Sequence, residues 1–72
     1  MYILNQNKTA LINGKNVLAI EKYPDNTIEA RCVTGGTYKL GHYNSKERAE
    51  EIFEEIMKHI TDTERIGIMP EE

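Results

Sequence analysis

The apolar positions between residues 45 and 60 repeat with the period of an α-helix. These positions are Ala49, Ile52, Phe53, Ile56, Met57 and Ile60. Offsets of three and four residues place them in one stripe along a helix of about 3.6 residues per turn. Ser45 is a good N-cap, because its hydroxyl accepts from a free amide of the first turn; Asn44 with Glu47 is the competing cap. The pattern predicts an amphipathic helix that begins at residue 44 or 45 and ends near residue 60.

Before this helix, short apolar runs alternate with turn residues, which is typical of β-strands. The runs are Tyr2–Leu4, Thr9–Ile12, Val17–Tyr23, Thr27–Val33 and Thr37–Tyr43. In the fourth run, Ile28, Ala30 and Cys32 fall on one face, which predicts a half-buried strand with a buried Cys32 thiol. In the third run, Leu18 and Ile20 share one face and both faces are partly apolar. We therefore expect the third run to be a central strand.

The last strand contains a glycine at which we expect a β-bulge. Strict alternation places Tyr38 and Leu40 on the core side of the sheet. Gly41 follows directly, and a glycine inside a strand is typical of a bulge. One extra residue at this point would return Tyr43 to the core side, next to the start of the helix.

The order of the elements predicts an α+β fold. We expect an antiparallel meander of four to five strands, followed by one amphipathic C-terminal helix packed on the sheet, with no parallel crossover. This domain spans residues 1–60, and residues 61–72 form a C-terminal tail. A free tail has no need of the apolar residues Ile66, Ile68 and Met69. Docking on the chain's own sheet, or on a neighbouring subunit where these three residues would form the interface, would explain them. A disordered tail is the alternative.

The length of the chain favours self-association. A chain of 72 residues buries only about 60% of its extended-chain surface, so its stability is marginal without a further device. Cys32 is the only cysteine, which excludes a disulfide within the chain. Cys32, His42 and His59 are too few and too scattered for a zinc site, and we expect no metal or cofactor. Burial of apolar surface against a second copy is the remaining source of stability, so we expect a homo-oligomer.

Charge is distributed unevenly along the chain. The net charge is −3. Residues 1–43 contain five Lys/Arg and three Asp/Glu, whereas residues 44–72 contain four Lys/Arg and nine Asp/Glu. A mildly basic strand half (+2) joined to an acidic helical half (−5) argues against direct nucleic-acid binding by the whole chain. From the sequence pattern we expect no signal peptide and no membrane span. These features predict a cytoplasmic protein.

The last strand and the helix resemble a widespread set of small proteins from Firmicutes and their phages. The similar residues are Leu40-Gly41-x-Tyr43-x-Ser45-x-Glu47-x-Ala49 and then Ile52-Phe53-x-x-Ile56. The set also tends to open with a strand like Met1–Asn5, so the layout of residues 1–60 is similar and residues 40–56 are the specific part. The set has no established common activity, so the resemblance assigns no functional residue. The resemblance implies a phage or mobile-element accessory protein in the cytosol of a bacterial host. Proteins of that kind commonly bind and inhibit a host factor, and many target bacterial immunity.

One mixed basic and aromatic cluster is the candidate ligand site. Its members are Arg31, Lys39, His42, Tyr43 and Arg48. Arginine provides a bidentate fork for phosphate or carboxylate, and tyrosine provides a stacking face. If copies pair through the sheet, these side chains would line a pocket for a nucleotide-type anion between subunits. An ordinary solvated sheet face is the alternative.

The sequence leaves three functional hypotheses, none of them enzymatic. The two histidines, Cys32 and Ser45 do not make a catalytic triad, so we expect no enzyme. The first hypothesis is a phage-type inhibitor, in line with anti-defence proteins, that binds a host protein. The second is a homo-oligomeric binder that sequesters a small anionic nucleotide-type signal. The third is an acidic nucleic-acid mimic that uses the helix residues Glu47, Glu50, Glu51, Glu54 and Glu55.

Overall fold

A computed structural model describes residues 1–72, which form six strands and one α-helix. The strands are β1 (Tyr2–Leu4), β2 (Leu11–Asn13), β3 (Val17–Lys22), β4 (Thr27–Cys32), β5 (Thr37–His42) and β6 (Ile66–Ile68). The helix α1 spans Lys46–His59, and a 3-10 turn, Gly14–Asn16, joins β2 to β3. The predicted α+β class is confirmed. The helix α1 is neither long nor apolar enough to cross a membrane.

The strands form two sheets of three instead of one larger meander. The strands β3, β4 and β5 make the predicted antiparallel meander, with β4 in the centre. The first sheet has the order β2-β1-β6, in which β1 pairs antiparallel with β2 and parallel with β6. The single sheet, the central position of β3 and the absence of parallel pairing were therefore wrong. The 3-10 turn lies between the two sheets, and the Asn13 side chain caps it by accepting from Lys15 N at 3.0 Å.

A β-bulge in β5 directs Tyr43 into the core, as predicted. Ile28 lies opposite Gly41 and Glu29 lies opposite Lys39, so one extra residue, Leu40, is accommodated in β5. The Tyr43 ring then packs against Gly41, where a Cβ atom would lie 2.7 Å from the tyrosine hydroxyl oxygen. Any side chain at position 41 would therefore displace the ring.

Tyr38, which was predicted to face the core, is exposed, and so is Leu18 on the strand that was expected to be central. Tyr38 lies on an edge strand with a neighbour on one side only, and its ring remains open to solvent. Leu18 is the extra residue of a second bulge, because Val17 lies opposite Cys32 and Ala19 lies opposite Arg31. The bulge turns Leu18 outward, while Val17 and Ile20 pack against the core.

The helix α1 covers the core with one side, from Ala49 to Ile56. Ser45 is the N-cap, and Arg48 N donates to its Oγ at 3.1 Å. The buried line of the helix is Ala49, Ile52 and Ile56, with Phe53 half-buried beside them. The last residues of the predicted stripe, Met57 and Ile60, remain exposed. The core unites both sheets and the helix; it comprises Met1, Ile3, Ile12, Ile28, Ala30, Leu40, Tyr43, Ala49, Ile52, Ile56 and Met69.

The C-terminal segment lies on the chain's own first sheet. Tyr2 N donates to Arg65 O at 2.9 Å, and Met69 N donates to Leu4 O at 3.0 Å. Met69 is only 3% exposed and belongs to the core of its own chain. The helix is therefore not the last element, since α1 reverses the chain and β6 runs parallel to β1.

Candidate functional site

The structure does not bring the five predicted ligand-site residues together. Arg31 is engaged by its own chain through a hydrogen-bonded ion pair with Glu21. Lys39 is exposed opposite Glu29 on β4. Tyr43 is 1% exposed, so its ring offers no stacking face within the chain. The five side chains consequently do not form a shared pocket within one chain.

His42 is held by hydrogen bonds between its backbone and the Gln6 side chain. Its N–H donates to Gln6 Oε1 at 2.8 Å, and its carbonyl accepts from Gln6 Nε2 at 3.0 Å. Gln6 N also donates to Leu40 O at 2.7 Å. The outer edge of β5 is therefore covered by the chain segment that follows β1.

Tyr43 and Arg48 hold the C-terminal segment in place. Together with Gln6 they donate to the carbonyl oxygens of three consecutive residues. Tyr43 Oη donates to Pro70 O at 2.8 Å, Gln6 Nε2 donates to Glu71 O at 2.6 Å, and Arg48 Nε donates to Glu72 O at 2.8 Å. Sequence reasoning missed this role because the partners are 24 to 65 residues apart.

Burial of Tyr43 predicts a specific loss of stability at high pH. Burial raises the pKa of Tyr43 from 10.0 to about 12, with Arg48 acting weakly in the opposite direction. The folded state therefore favours the neutral phenol, and this contribution is complete below pH 10 and is lost as the pH rises toward 12. We expect the free energy of unfolding to fall over this range more steeply in the parent chain than in Tyr43→Phe. Urea unfolding of both proteins measures the difference, and equal slopes would contradict it.

The acidic face of α1 is partly neutralised by neighbouring cations. Glu51 lies 3.8 Å from Arg48, Glu50 lies 3.5 Å from Lys22, and Glu55 is paired as well. The partners of Glu55 are Lys58 at 3.9 Å and His59 at 3.4 Å. Only two of the five helix glutamates, Glu47 and Glu54, lack an ion pair.

The outer side of the first sheet is apolar and exposed. Ile3 and Ile12 point into the core, so alternation directs their neighbours outward. Cross-strand register places these outward residues in two rows, Leu11–Leu4–Ile68 and Asn13–Tyr2–Ile66. Leu11, Ile66 and Ile68 are 58%, 60% and 63% exposed. We call the five apolar members of these rows, Tyr2, Leu4, Leu11, Ile66 and Ile68, the apolar face.

A contiguous apolar surface of this kind typically marks an interaction site, whereas single exposed apolar residues do not. One basic residue, Lys15, lies close in sequence to one end of the apolar face. Lys15 lies two residues after Asn13 and forms no ion pair in the chain, whereas Arg65, which is also unpaired, lies on the opposite side of the sheet and lines a groove beside α1. Lys8, near the other end, is paired with Glu71 at 3.8 Å. The free positive charge is thus concentrated at one end of the apolar face.

Two apolar grooves flank the helix. The first, of about 240 Å³, lies between α1 and β6; its lining includes Ile3, Ile52, Ile56 and Met69, with Glu55, His59 and Arg65 as polar members. The second, also of about 240 Å³, lies between α1 and β3 and is lined by Val17, Leu18, Ile20, Phe53, Met57 and Ile60 among others. No cluster of three His, Cys, Asp or Glu side chains is arranged to hold a metal ion. Cys32 is a buried free thiol, as predicted.

Comparison with models of known protein families, with curated proteins and with solved structures found no match. The function is therefore argued from the chemistry of the surface.

Proposed function

We propose that this chain is a non-enzymatic binding protein that docks on a host protein through the apolar face and inhibits it. The observation that carries the proposal is the exposure of Leu11, Ile66 and Ile68 side by side on one sheet. The resemblance of residues 40–56 to small Firmicutes and phage proteins supports an origin in a mobile element. A component of bacterial immunity in the host cytosol is the class of target that this origin favours.

The apolar face and its border define the chemistry of the partner. Complete burial of an exposed leucine or isoleucine contributes about 1.5–3 kcal/mol, and micromolar association requires about 8 kcal/mol after the costs of association. A partner must therefore cover most of the face. Because Lys15 lacks an ion pair at one end, the complementary surface is apolar with a carboxylate at that border.

The other two functions have less support in the geometry. A nucleotide-type site needs free arginine and aromatic groups, whereas Arg31 is paired with Glu21 and the Tyr43 ring is buried. A mimic of nucleic acid needs a continuous row of free negative charge, whereas cations lie beside three of the five helix glutamates.

The test compares two matched lysine substitutions. Leu11 and Met57 are 58% and 57% exposed, but Leu11 lies on the apolar face, whereas Met57 lines the second groove. The tagged parent chain is used to isolate a host protein from a Firmicutes lysate, and the affinity of the purified pair is then measured. We expect Leu11→Lys to weaken binding by at least about tenfold, because a charge is buried, and Met57→Lys to leave it within about twofold.

Inhibition is tested by titrating the captured protein's own activity with the parent chain and with each variant. Loss of activity with the parent and with Met57→Lys, but not with Leu11→Lys, is the expected result. Loss of binding with Met57→Lys alone would place the docking surface at the second groove and contradict the proposal. Failure of the parent chain to retain any host protein would also contradict it.

A further inference from the structure

The outer edge of β6 has unpaired backbone groups. Arg65 O and Met69 N bond to β1, so backbone groups at positions 65, 67 and 69 face β1. Alternation along a strand then directs the N–H and C=O groups of Ile66 and Ile68 away from the sheet. The Gly67 α-carbon faces the core, since a Cβ there would lie 2.5 Å from Met1 Cε. The edge thus presents two donors and two acceptors between two exposed isoleucine side chains.

Two of the other sheet edges are obstructed by the chain itself. Gln6 covers the edge of β5 at Leu40 and His42. The bulge at Leu18 interrupts the edge of β3, which is a common means of preventing strand pairing. The edge of β2 borders a groove that is lined in part by Thr34 and Tyr38 of the same chain.

The free edge of β6 has a defined length. Pro70 occupies the next outward-facing position after Ile68 and has no N–H to donate. A second strand can therefore form a ladder with Ile66 and Ile68 but cannot extend it past Pro70. A partner strand of about three residues fits this edge.

We propose that a second copy of the chain pairs with this edge, β6 against β6, antiparallel about a two-fold axis at Gly67. In this register Ile66 of each copy lies opposite Ile68 of the other, and each such pair exchanges two hydrogen bonds. All four outward backbone groups of each copy are then satisfied. The two first sheets join into one six-stranded sheet, with the same strand contributed by both copies, as a two-fold interface requires. The pairing does not depend on the proposed docking of a host protein.

Charge complementarity favours the same register. Arg65 lies opposite Met69 of the second copy, and Glu71 of the second copy is its diagonal neighbour on the same side of the sheet. Arg65 is unpaired in its own chain, whereas the Glu71 side chain is 79% exposed and only loosely paired with Lys8 at 3.8 Å. Because of the two-fold symmetry, the contact between Arg65 and Glu71 occurs twice in the dimer.

Pairing also joins the first groove to its symmetry mate. An axis through Gly67 perpendicular to the sheet keeps both α1 helices on the same side, where each groove opens toward β6. The apolar lining at Ile52 and Ile56 then continues from one copy to the other. On the opposite side, Ile66 and Ile68 of the two copies bring both apolar faces into one surface of twice the area.

Two double variants test the register with the full chain. Ile66→Lys/Ile68→Lys places ammonium groups opposite each other across the axis. Ile66→Glu/Ile68→Lys removes the same apolar side chains but places a carboxylate opposite an ammonium at both symmetric positions. Sedimentation equilibrium from about 1 µM to about 1 mM measures the dimer dissociation constant of each protein. Circular dichroism shows that each variant is folded.

We expect the parent chain to dimerise and the Glu/Lys variant to dimerise at least about tenfold more tightly than the Lys/Lys variant. A third variant, Leu11→Lys, is expected to dimerise like the parent, because β2 is distant from the axis, and so separates this proposal from the host-binding surface. A parent chain that remains monomeric at about 1 mM would overturn the proposal. Equal dissociation constants for the two double variants would overturn the register.

Discussion

Tyr43→Ala is expected to lower the free energy of unfolding by about 3–5 kcal/mol. Tyr43 is the largest fully buried side chain, and it joins the β5 bulge, α1 and the C-terminal segment. Its removal leaves a cavity beside Gly41 and frees the Pro70 carbonyl. Because the total stability of a small domain is about 5–15 kcal/mol, and lower for so short a chain, we expect a substantially unfolded population at 37 °C. Urea unfolding followed by circular dichroism measures the change.

Two further variants separate the causes of this effect. Tyr43→Phe retains the ring and removes only the hydrogen bond to Pro70 O, so a loss of about 0.5–1.5 kcal/mol is expected. Tyr38→Ala removes an exposed ring from the neighbouring part of β5, so a loss of less than about 1 kcal/mol is expected. Equal effects of Tyr43→Ala and Tyr38→Ala would contradict the burial of Tyr43.

Met69→Ala is expected to cost about 2–5 kcal/mol, because Met69 is the one residue after the helix that belongs to the core. Met57→Ala is the matched control, since it makes the same change at an exposed position of α1. It is expected to cost less than about 1 kcal/mol. The same urea titration measures both. If the two substitutions had equal, small effects, the C-terminal segment would not be docked in the core.

The elements set by local periodicity were predictable from the sequence. The stripe on α1, the Ser45 cap and the glycine in β5 are local signals, and each predicted the observed feature. The bulge at Leu18 has no such signal, because no glycine or proline marks it. The exposure of the Leu18 side chain follows from the register between β3 and β4, which depends on contacts between strands.

The division into two sheets was not predictable, because it depends on pairing between distant segments. The pairing of β1 with β6 joins residues about 64 positions apart in the chain. The apolar residues Ile66, Ile68 and Met69 indicated that the tail docks, but they did not specify its partner strand. Pairing between residues so far apart in the chain leaves no local sequence pattern from which it can be deduced.

The predicted ligand cluster combined two incompatible expectations. The bulge at Gly41 was expected to return Tyr43 to the core, while the cluster required an exposed Tyr43 ring. The structure has the buried ring. The apolar face was missed because Tyr2 and Leu4 were considered only as strand residues, although their spacing of two residues places them on one side, as it does Ile66 and Ile68.

Amide hydrogen exchange at residues 66–69 tests the central claim, that β6 is a strand of the chain's own sheet with a free outer edge. The amides of Gly67 and Met69 face β1, and we expect them to exchange slowly at every protein concentration. The amides of Ile66 and Ile68 face outward, and we expect fast exchange in dilute protein and slow exchange at high concentration, where the second copy pairs. Fast exchange at Gly67 and Met69 at all concentrations would contradict the account.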